Sequence, residues 1–82
     1  RMLNNSLENR ISIDPKICFG KPCIKGTRIP VYMILELIEA GYTIERILAD
    51  CYPQLTREDV QAAIHYAVGI IKNEDILIQE TA

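Results

Sequence analysis

The feature that most limits the fold of this chain is a series of short helical segments separated by residues that end helices. From Pro30 onwards, apolar residues recur at the helical spacing of three or four, and they do so in three blocks. Gly41 and Pro53 separate these blocks, because glycine favours the position after a helix and proline cannot continue one. Thr43 and Thr56 precede the second and third blocks, where a threonine hydroxyl caps a helix. The sequence therefore predicts a mainly α, helix-turn-helix-like domain of three helices.

The first predicted helix begins with Pro30 as its first helical residue, and the second covers residues 43–51. The third, over residues 56–72, has the widest apolar face. Its apolar residues are Val60, Ala63, Ile64, Ala67, Ile70 and Ile71. A face of this width can pack against the first two helices and also against a second subunit. Because a chain of 82 residues leaves much apolar surface exposed when it is alone, we expect oligomerisation.

A short β element is predicted in front of the helices. Residues 10–13 alternate polar and apolar side chains before the turn-forming pair Asp14-Pro15. A second extended stretch surrounds Lys25-Gly26, which can close a tight hairpin turn. The predicted organisation is a flexible N-terminal arm over residues 1–9, the helical domain over residues 10–72 and an acidic tail over residues 73–82. Two interpretations of the tail stay open, namely a strand that binds a partner and a frayed end.

The small net charge of −2 hides an uneven distribution of charge. Residues 10–28 contain five basic residues, Arg10, Lys16, Lys21, Lys25 and Arg28, and one acidic residue, Asp14. Residues 29–82 contain three basic and nine acidic residues. A basic front favours a polyanion, whereas an acidic body suits a basic protein partner. The alternative is that these residues are ordinary solvated surface charges.

The second and third predicted helices, each opened by a threonine, resemble a helix-turn-helix, whose second helix enters the major groove. Its exposed side chains would be Arg57, Gln61 and His65. We predict that Arg57 and Gln61 face bases and that the basic residues of the front hold phosphates. The phosphate-binding candidates are Lys21, Lys25 and Arg28. Against this, Glu58 and Asp59 would repel phosphates at the same helix end, so a domain that only packs is the alternative.

Catalytic, metal and cofactor sites are not expected. The candidate zinc ligands are Cys18, Cys23, Cys51 and His65, but their spacing is not that of common zinc sites. Free thiols are expected at Cys18 and Cys23 in a reducing cytosol, although a disulfide between them is conceivable. Neither loop thiol has a base placed beside it by the sequence, so we expect no enzyme activity. No apolar run is long enough to cross a bilayer and no leader is visible, which predicts a cytoplasmic protein without membrane contact.

Seven segments of the chain together resemble one known family. They are Ile13-Asp14-Pro15, Gly20-Lys21-Pro22-Cys23-Ile24-Lys25-Gly26-Thr27-Arg28-Ile29-Pro30-Val31, Ile34-Leu35, Gly41, Ile47-Leu48, Tyr52-Pro53-Gln54-Leu55-Thr56 and Glu58-Asp59-Val60. They are similar to the small bacterial proteins of domain of unknown function 433, many of which are described as VapB-type antitoxins. The likeness covers about residues 10–70. Cys18 and Phe19 receive no role from it.

The resemblance implies a homeodomain-like helical fold with a short β element in front, in a dimer. It also implies an antitoxin that neutralises a PIN-like ribonuclease toxin and represses their shared promoter by binding operator DNA. The leading hypothesis is thus an antitoxin-like DNA-binding protein. The competing hypothesis is a protein-interaction adaptor whose helix-turn-helix is only a scaffold, with acidic helices and tail contacting the partner.

Overall fold

The computed structural model describes residues 7–81, and the side chains of residues 7–73. A two-stranded antiparallel element precedes three helices, as the sequence predicted. The elements are β1 (Ile11–Ser12), a 3₁₀ turn (Cys18–Gly20), β2 (Cys23–Ile24), α1 (Val31–Glu39), α2 (Ile44–Arg46) with a π-helical continuation (Ile47–Cys51), and α3 (Arg57–Thr81). The fold is therefore mainly α. Part of the arm predicted over residues 1–9 lies outside the described residues.

The predicted turn at Lys25-Gly26 follows β2 and folds the chain back against it, because the N–H of Ile24 donates to the carbonyl of Ile29 at 3.0 Å. Ile11 pairs with Ile24 and Ser12 pairs with Cys23 across the two strands. The N–H of Thr27 donates to the carbonyl of Ile24 at 3.0 Å, and Gly26 has a φ of +82°, which an L side chain rarely adopts. The turn chemistry predicted from the sequence is confirmed.

Helix α1 begins one residue later than predicted. Pro30 is extended, with φ −69° and ψ 146°, and serves as the residue before the helix. It forms a β-bridge with Cys23, and the N–H of Val31 donates to the carbonyl of Pro22 at 2.9 Å. The chain at Pro30 thus still belongs to the β element, which explains the later start.

Threonine caps open α2 and α3 as predicted. The Thr43 hydroxyl accepts a hydrogen bond from the N–H of Arg46 at 3.1 Å. At α3 the bonding is reciprocal, since the Thr56 hydroxyl accepts from the N–H of Asp59 and the Asp59 carboxylate accepts from the N–H of Thr56. These two hydrogen bonds satisfy backbone N–H groups that have no partner within the helix at its N-terminus.

Helix α3 extends to Thr81, so the end predicted near residue 72 is wrong. The interpretation of residues 73–82 as a strand that binds a partner is therefore wrong as far as Thr81, and the frayed end stays a prediction. No proline or glycine follows Gly69, and the residues beyond it are ordinary helix formers. The alternation of Ile76 and Ile78 was too short a pattern to indicate a strand.

The buried core joins the β element to all three helices. Its members are Ile24, Ile29, Val31, Ile34, Ile47, Leu55, Val60 and Ala63. The first half of the apolar face predicted for α3 packs here, but Ile70 and Ile71 farther along are 41% and 55% exposed. Within residues 7–81, no helix is long and apolar enough to cross a membrane.

Candidate nucleic-acid interface

Two of the three predicted phosphate-binding residues line one surface hollow. Lys21 and Arg28 lie on its wall, and the remaining lining residues are Cys18, Phe19, Pro30, Tyr32 and Met33. The hollow measures about 350 Å³. The β turn at residues 25–26 brings Arg28 back towards the segment that carries Lys21, and this places the two cations together although seven positions separate them.

Lys21, Lys25 and Arg28 are all exposed. Among the side chains that the structure describes, none forms an ion pair with these three residues. Lys21 Nζ lies 6.0 Å from the centre of the Tyr32 ring, and Arg28 also lines a second hollow together with Gln54. Gln54 lies three positions before the first residue of α3, so the basic front reaches the start of that helix.

A left-handed turn presents Phe19 beside these cations. Cys18, Phe19 and Gly20 have φ values of 54°, 56° and 80°, a conformation that costs an L residue about 1–2 kcal/mol. The N–H of Lys21 closes the turn by donating to the carbonyl of Cys18 at 3.0 Å. The Phe19 side chain is 97% exposed, so the turn holds an apolar ring in solvent.

Cys18 and Cys23 are joined in a disulfide, with their Cα atoms 7.0 Å apart. The prediction of free thiols at these positions is wrong. That prediction was based on the reducing conditions of the cytosol. It did not include the turn that brings Cys18 back towards β2. Cys23 is buried in β2, so the disulfide ties the exposed turn to the core.

Arg57 is exposed but already has an ion-pair partner. Its guanidinium forms an ion pair with the carboxylate of Glu45 on α2. A backbone hydrogen bond at Glu45, followed by hydrogen bonding and charge attraction from Arg57, holds the pKa of the Glu45 carboxyl below its ordinary value. The prediction that Arg57 faces bases therefore requires this pair to open.

The other α3 candidates have different surroundings. Gln61 is exposed one turn after Arg57. The His65 Nε2 atom lies 3.7 Å from a Glu8 carboxylate oxygen, so His65 faces the N-terminal segment. The hollows lined by Lys21 or Arg28 that are described above and below do not include Arg57 or Gln61.

One of the two acids expected to repel phosphate is neutralised. An Asp59 carboxylate oxygen accepts a hydrogen bond from Arg10 Nη1 at 3.0 Å, and the Asp59 side chain is only 14% exposed. Asp14, the acid of the basic front, accepts from the backbone N–H of Lys16 at 2.9 Å. Glu58 is left as the exposed acid in the first turn of α3.

The four residues considered for zinc do not come together. Within the described part of the chain, no three His, Cys, Asp or Glu side chains form a cluster that could hold a metal ion. Phe19 and Tyr32, by contrast, were missed as site residues. The only phenylalanine of the chain, placed next to Gly20 and outside the helical apolar period, is the sequence signal that could have indicated Phe19.

The family described as "Protein of unknown function (DUF433)" matches residues 11–67. The chain belongs to this family. A DUF433 member protein from Anabaena variabilis ATCC 29413, known from a crystal structure, is 37% identical with a TM-score of 0.72, and the match covers 92% of this chain and 73% of that one. The chain is also 37% identical over 57 residues to "Uncharacterized protein y4eO" of Sinorhizobium fredii (strain NBRC 101917 / NGR234). That match covers 70% of this chain and a quarter of the relative's length.

Proposed function

We propose that this DUF433 protein is an antitoxin-like DNA-binding protein that binds operator DNA through its basic front and the start of α3. The observation that carries the proposal is the contrast between the two sets of cations. Arg46 and Arg57 on the helical body are paired with Asp50 and Glu45, whereas Lys21, Lys25 and Arg28 of the front have no ion-pair partner among the described side chains. Exposed, unpaired cations on one side of a small domain favour binding of a polyanion.

In this proposal the front positions the duplex and α3 reads it. Lys21, Lys25 and Arg28 hold phosphates, which fixes the register of the protein on the duplex. Arg57 exchanges the Glu45 carboxylate for a phosphate or a guanine edge, and Gln61 contacts a base one turn later. The Glu45 pair therefore restrains Arg57 until DNA competes for its guanidinium.

The antitoxin part of the proposal concerns partners. A PIN-like toxin would be neutralised in the cytoplasm, and a homodimer would place two DNA-binding faces on one operator. Support for a dimer comes from an apolar groove of about 310 Å³ between α1 and α3, lined in part by Leu35, Tyr66, Ile70 and Ile71. A second copy covering this groove would bury apolar surface that one copy leaves in water.

Fluorescence anisotropy tests the DNA part, using the duplex upstream of the protein's own coding sequence and a scrambled duplex of equal length. The native duplex should bind more tightly, and its affinity should fall steeply between about 50 and 200 mM salt. Lys25→Ala should weaken both duplexes about equally, whereas Arg57→Ala should reduce the preference for the native one. Lys72→Ala removes a cation on α3 far along the chain from the front and is the matched control. No binding to either duplex would overturn autonomous DNA binding.

Glu45→Ala is a sharper test of α3 as the reading helix. Because it frees Arg57, it should raise the affinity for the native duplex and make the logarithmic salt dependence steeper by about one unit. Glu36→Ala removes an exposed carboxylate from α1 and controls for the change in net charge. Equal gains in the two variants would place Arg57 outside the interface.

The adaptor remains the second candidate because the apolar groove could also accept a protein other than a second copy. It predicts that removal of residues 73–82 abolishes binding to the partner while DNA affinity stays negligible. Co-expression with the product of the neighbouring gene, followed by size-exclusion chromatography of both forms, distinguishes this candidate from the DNA-binding one.

A further inference from the structure

Phe19 is the most exposed of the large apolar side chains that the structure describes. It is 97% exposed, and the next, Ile13, is 59% exposed. The turn that carries Phe19 is left-handed at three successive residues and is tied to β2 by the Cys18–Cys23 disulfide. The ring is thus held in solvent by a closed turn with a covalent attachment to the core.

The surroundings of this ring combine apolar and cationic groups. Tyr32 and Met33, which are 47% and 40% exposed, line the hollow beside Phe19, and Lys21 and Arg28 stand on the same wall. No acidic residue lines the hollow. Its volume of about 350 Å³ lies at the lower end of the range of small-ligand sites. The hollow therefore offers a planar apolar contact and two positive charges to the same ligand.

We propose that this hollow binds an unpaired base of a single-stranded nucleic acid, with the base stacked on Phe19 and its flanking phosphates on Lys21 and Arg28. Stacking on an exposed aromatic ring needs a free base face, which a single strand offers and a regular duplex hides. The cations supply the attraction for the backbone on either side of that base. A peptide whose side chains are only acidic would use the cations alone and would leave the Phe19 ring without a stacking partner.

This site goes beyond the proposed function, because Phe19 has no part in reading duplex DNA by α3. The two proposals share Lys21 and Arg28, so variants at those positions cannot separate them. A variant at Phe19 can separate them, because only the single-strand proposal uses this residue.

The experiment uses the full chain and fluorescein-labelled oligothymidylate of about ten nucleotides, with an oligouridylate of the same length to compare DNA with RNA. Wild-type protein should bind the single strand, with affinity that falls as salt rises. Phe19→Ala should weaken this binding roughly 10-fold. Ile13→Ala, which removes another exposed apolar side chain outside the hollow, should leave it unchanged. Circular dichroism confirms that both variants are folded.

A second readout reports stacking itself. The chain contains four tyrosines but no tryptophan, so Phe19→Trp introduces a single tryptophan, whose emission can be excited selectively, at the proposed contact. Its emission should be quenched when unlabelled oligothymidylate saturates the protein, whereas the emission of Ile13→Trp should not change. Equal affinities of Phe19→Ala and Ile13→Ala, or unquenched emission at saturation, would overturn the site. If either of these results is found and Phe19→Ala still binds the native duplex normally, the single-strand site is overturned while the proposed function is unaffected.

Discussion

At the scale of single residues, Asp59 connects the β element to the longest helix. One carboxylate oxygen accepts from the backbone N–H of Thr56 and the other accepts from Arg10, each at 3.0 Å. Arg10 precedes β1, and its backbone carbonyl accepts from the N–H of Lys25 at 2.8 Å. Asp59 thus caps α3 and also fixes the segment from which the basic front begins.

Replacement of Asp59 by alanine should lower the free energy of unfolding by about 2 kcal/mol, because both the cap and the partly buried ion pair are lost. Asp59→Asn should lose less, since the amide oxygen can still accept from Thr56. Glu58→Ala changes the adjacent, exposed acid and should stay within about 0.5 kcal/mol of the wild type. Urea denaturation followed by circular dichroism measures all three. Equal losses for Asp59→Ala and Glu58→Ala would show that the contacts of Asp59 do not stabilise the fold.

The pair between Glu45 and Arg57 should make stability depend on pH. Because the pKa of Glu45 is lowered in the folded protein, the carboxylate favours folding at pH values above its ordinary pKa of 4.5. That contribution is lost as the pH falls through the lowered pKa. Glu45→Gln should therefore have a lower Tm than the wild type at about pH 7, and this difference should shrink when the pH is lowered to about 3. A Tm difference of equal size at both pH values, measured by calorimetry, would contradict this assignment.

At the scale of elements, two glycines have opposite roles. Gly41 follows α1 with a φ of +100°, the N–H of Tyr42 donates to the carbonyl of Leu37, and the N–H of Gly41 donates to that of Ile38. This is a Schellman motif, which requires the left-handed conformation. Gly69 lies within α3, and a Cβ added there would meet nothing within 4 Å.

Gly41→Ala should lower the free energy of unfolding by about 1 kcal/mol, because alanine resists the left-handed conformation. Gly69→Ala should raise it by about 0.5–1 kcal/mol, because alanine has the higher helix propensity and fits without contact. Chemical denaturation of the two variants side by side gives the comparison. A loss of stability in Gly69→Ala would indicate that α3 is not a continuous helix through this position.

Features that depend on nearby residues could be predicted from the sequence, whereas features that depend on packing between elements could not. The caps at Thr43 and Thr56 and the turn at Gly26 depend on residues within four positions of each other, and these predictions were correct. The pairing of Arg57 with Glu45 spans twelve positions, and it depends on how α2 lies against α3. The left-handed turn at Cys18 and Phe19 contradicts the local preference of both residues. The sequence therefore predicted the basic front but not the aromatic ring beside it.

At the scale of the whole molecule, only the first half of the apolar face of α3 is buried. Val60 and Ala63 are buried, whereas Ile70 and Ile71 remain exposed along a groove shared with α1. The groove is lined mainly by apolar side chains, with Lys21 at its edge. If a second copy covers this groove, one substitution changes both sides of the interface at once, because a two-fold interface contains each residue twice.

Ile71→Asp is therefore expected to convert a dimer into a monomer. The substitution places a charge in apolar surroundings on both sides of the interface, which should raise the dimer dissociation constant at least roughly 100-fold. Val68→Asp is the matched control, because Val68 is 45% exposed on the same helix but does not line the groove. Sedimentation velocity at several concentrations measures both variants and the wild type. If the wild type and Val68→Asp sediment as dimers and Ile71→Asp sediments as a monomer, α3 supplies the interface. Ile71→Asp should then also bind operator DNA more weakly, because each monomer holds one half-site alone. A monomeric wild type would instead leave the groove free for a different protein, which is the arrangement that the adaptor requires.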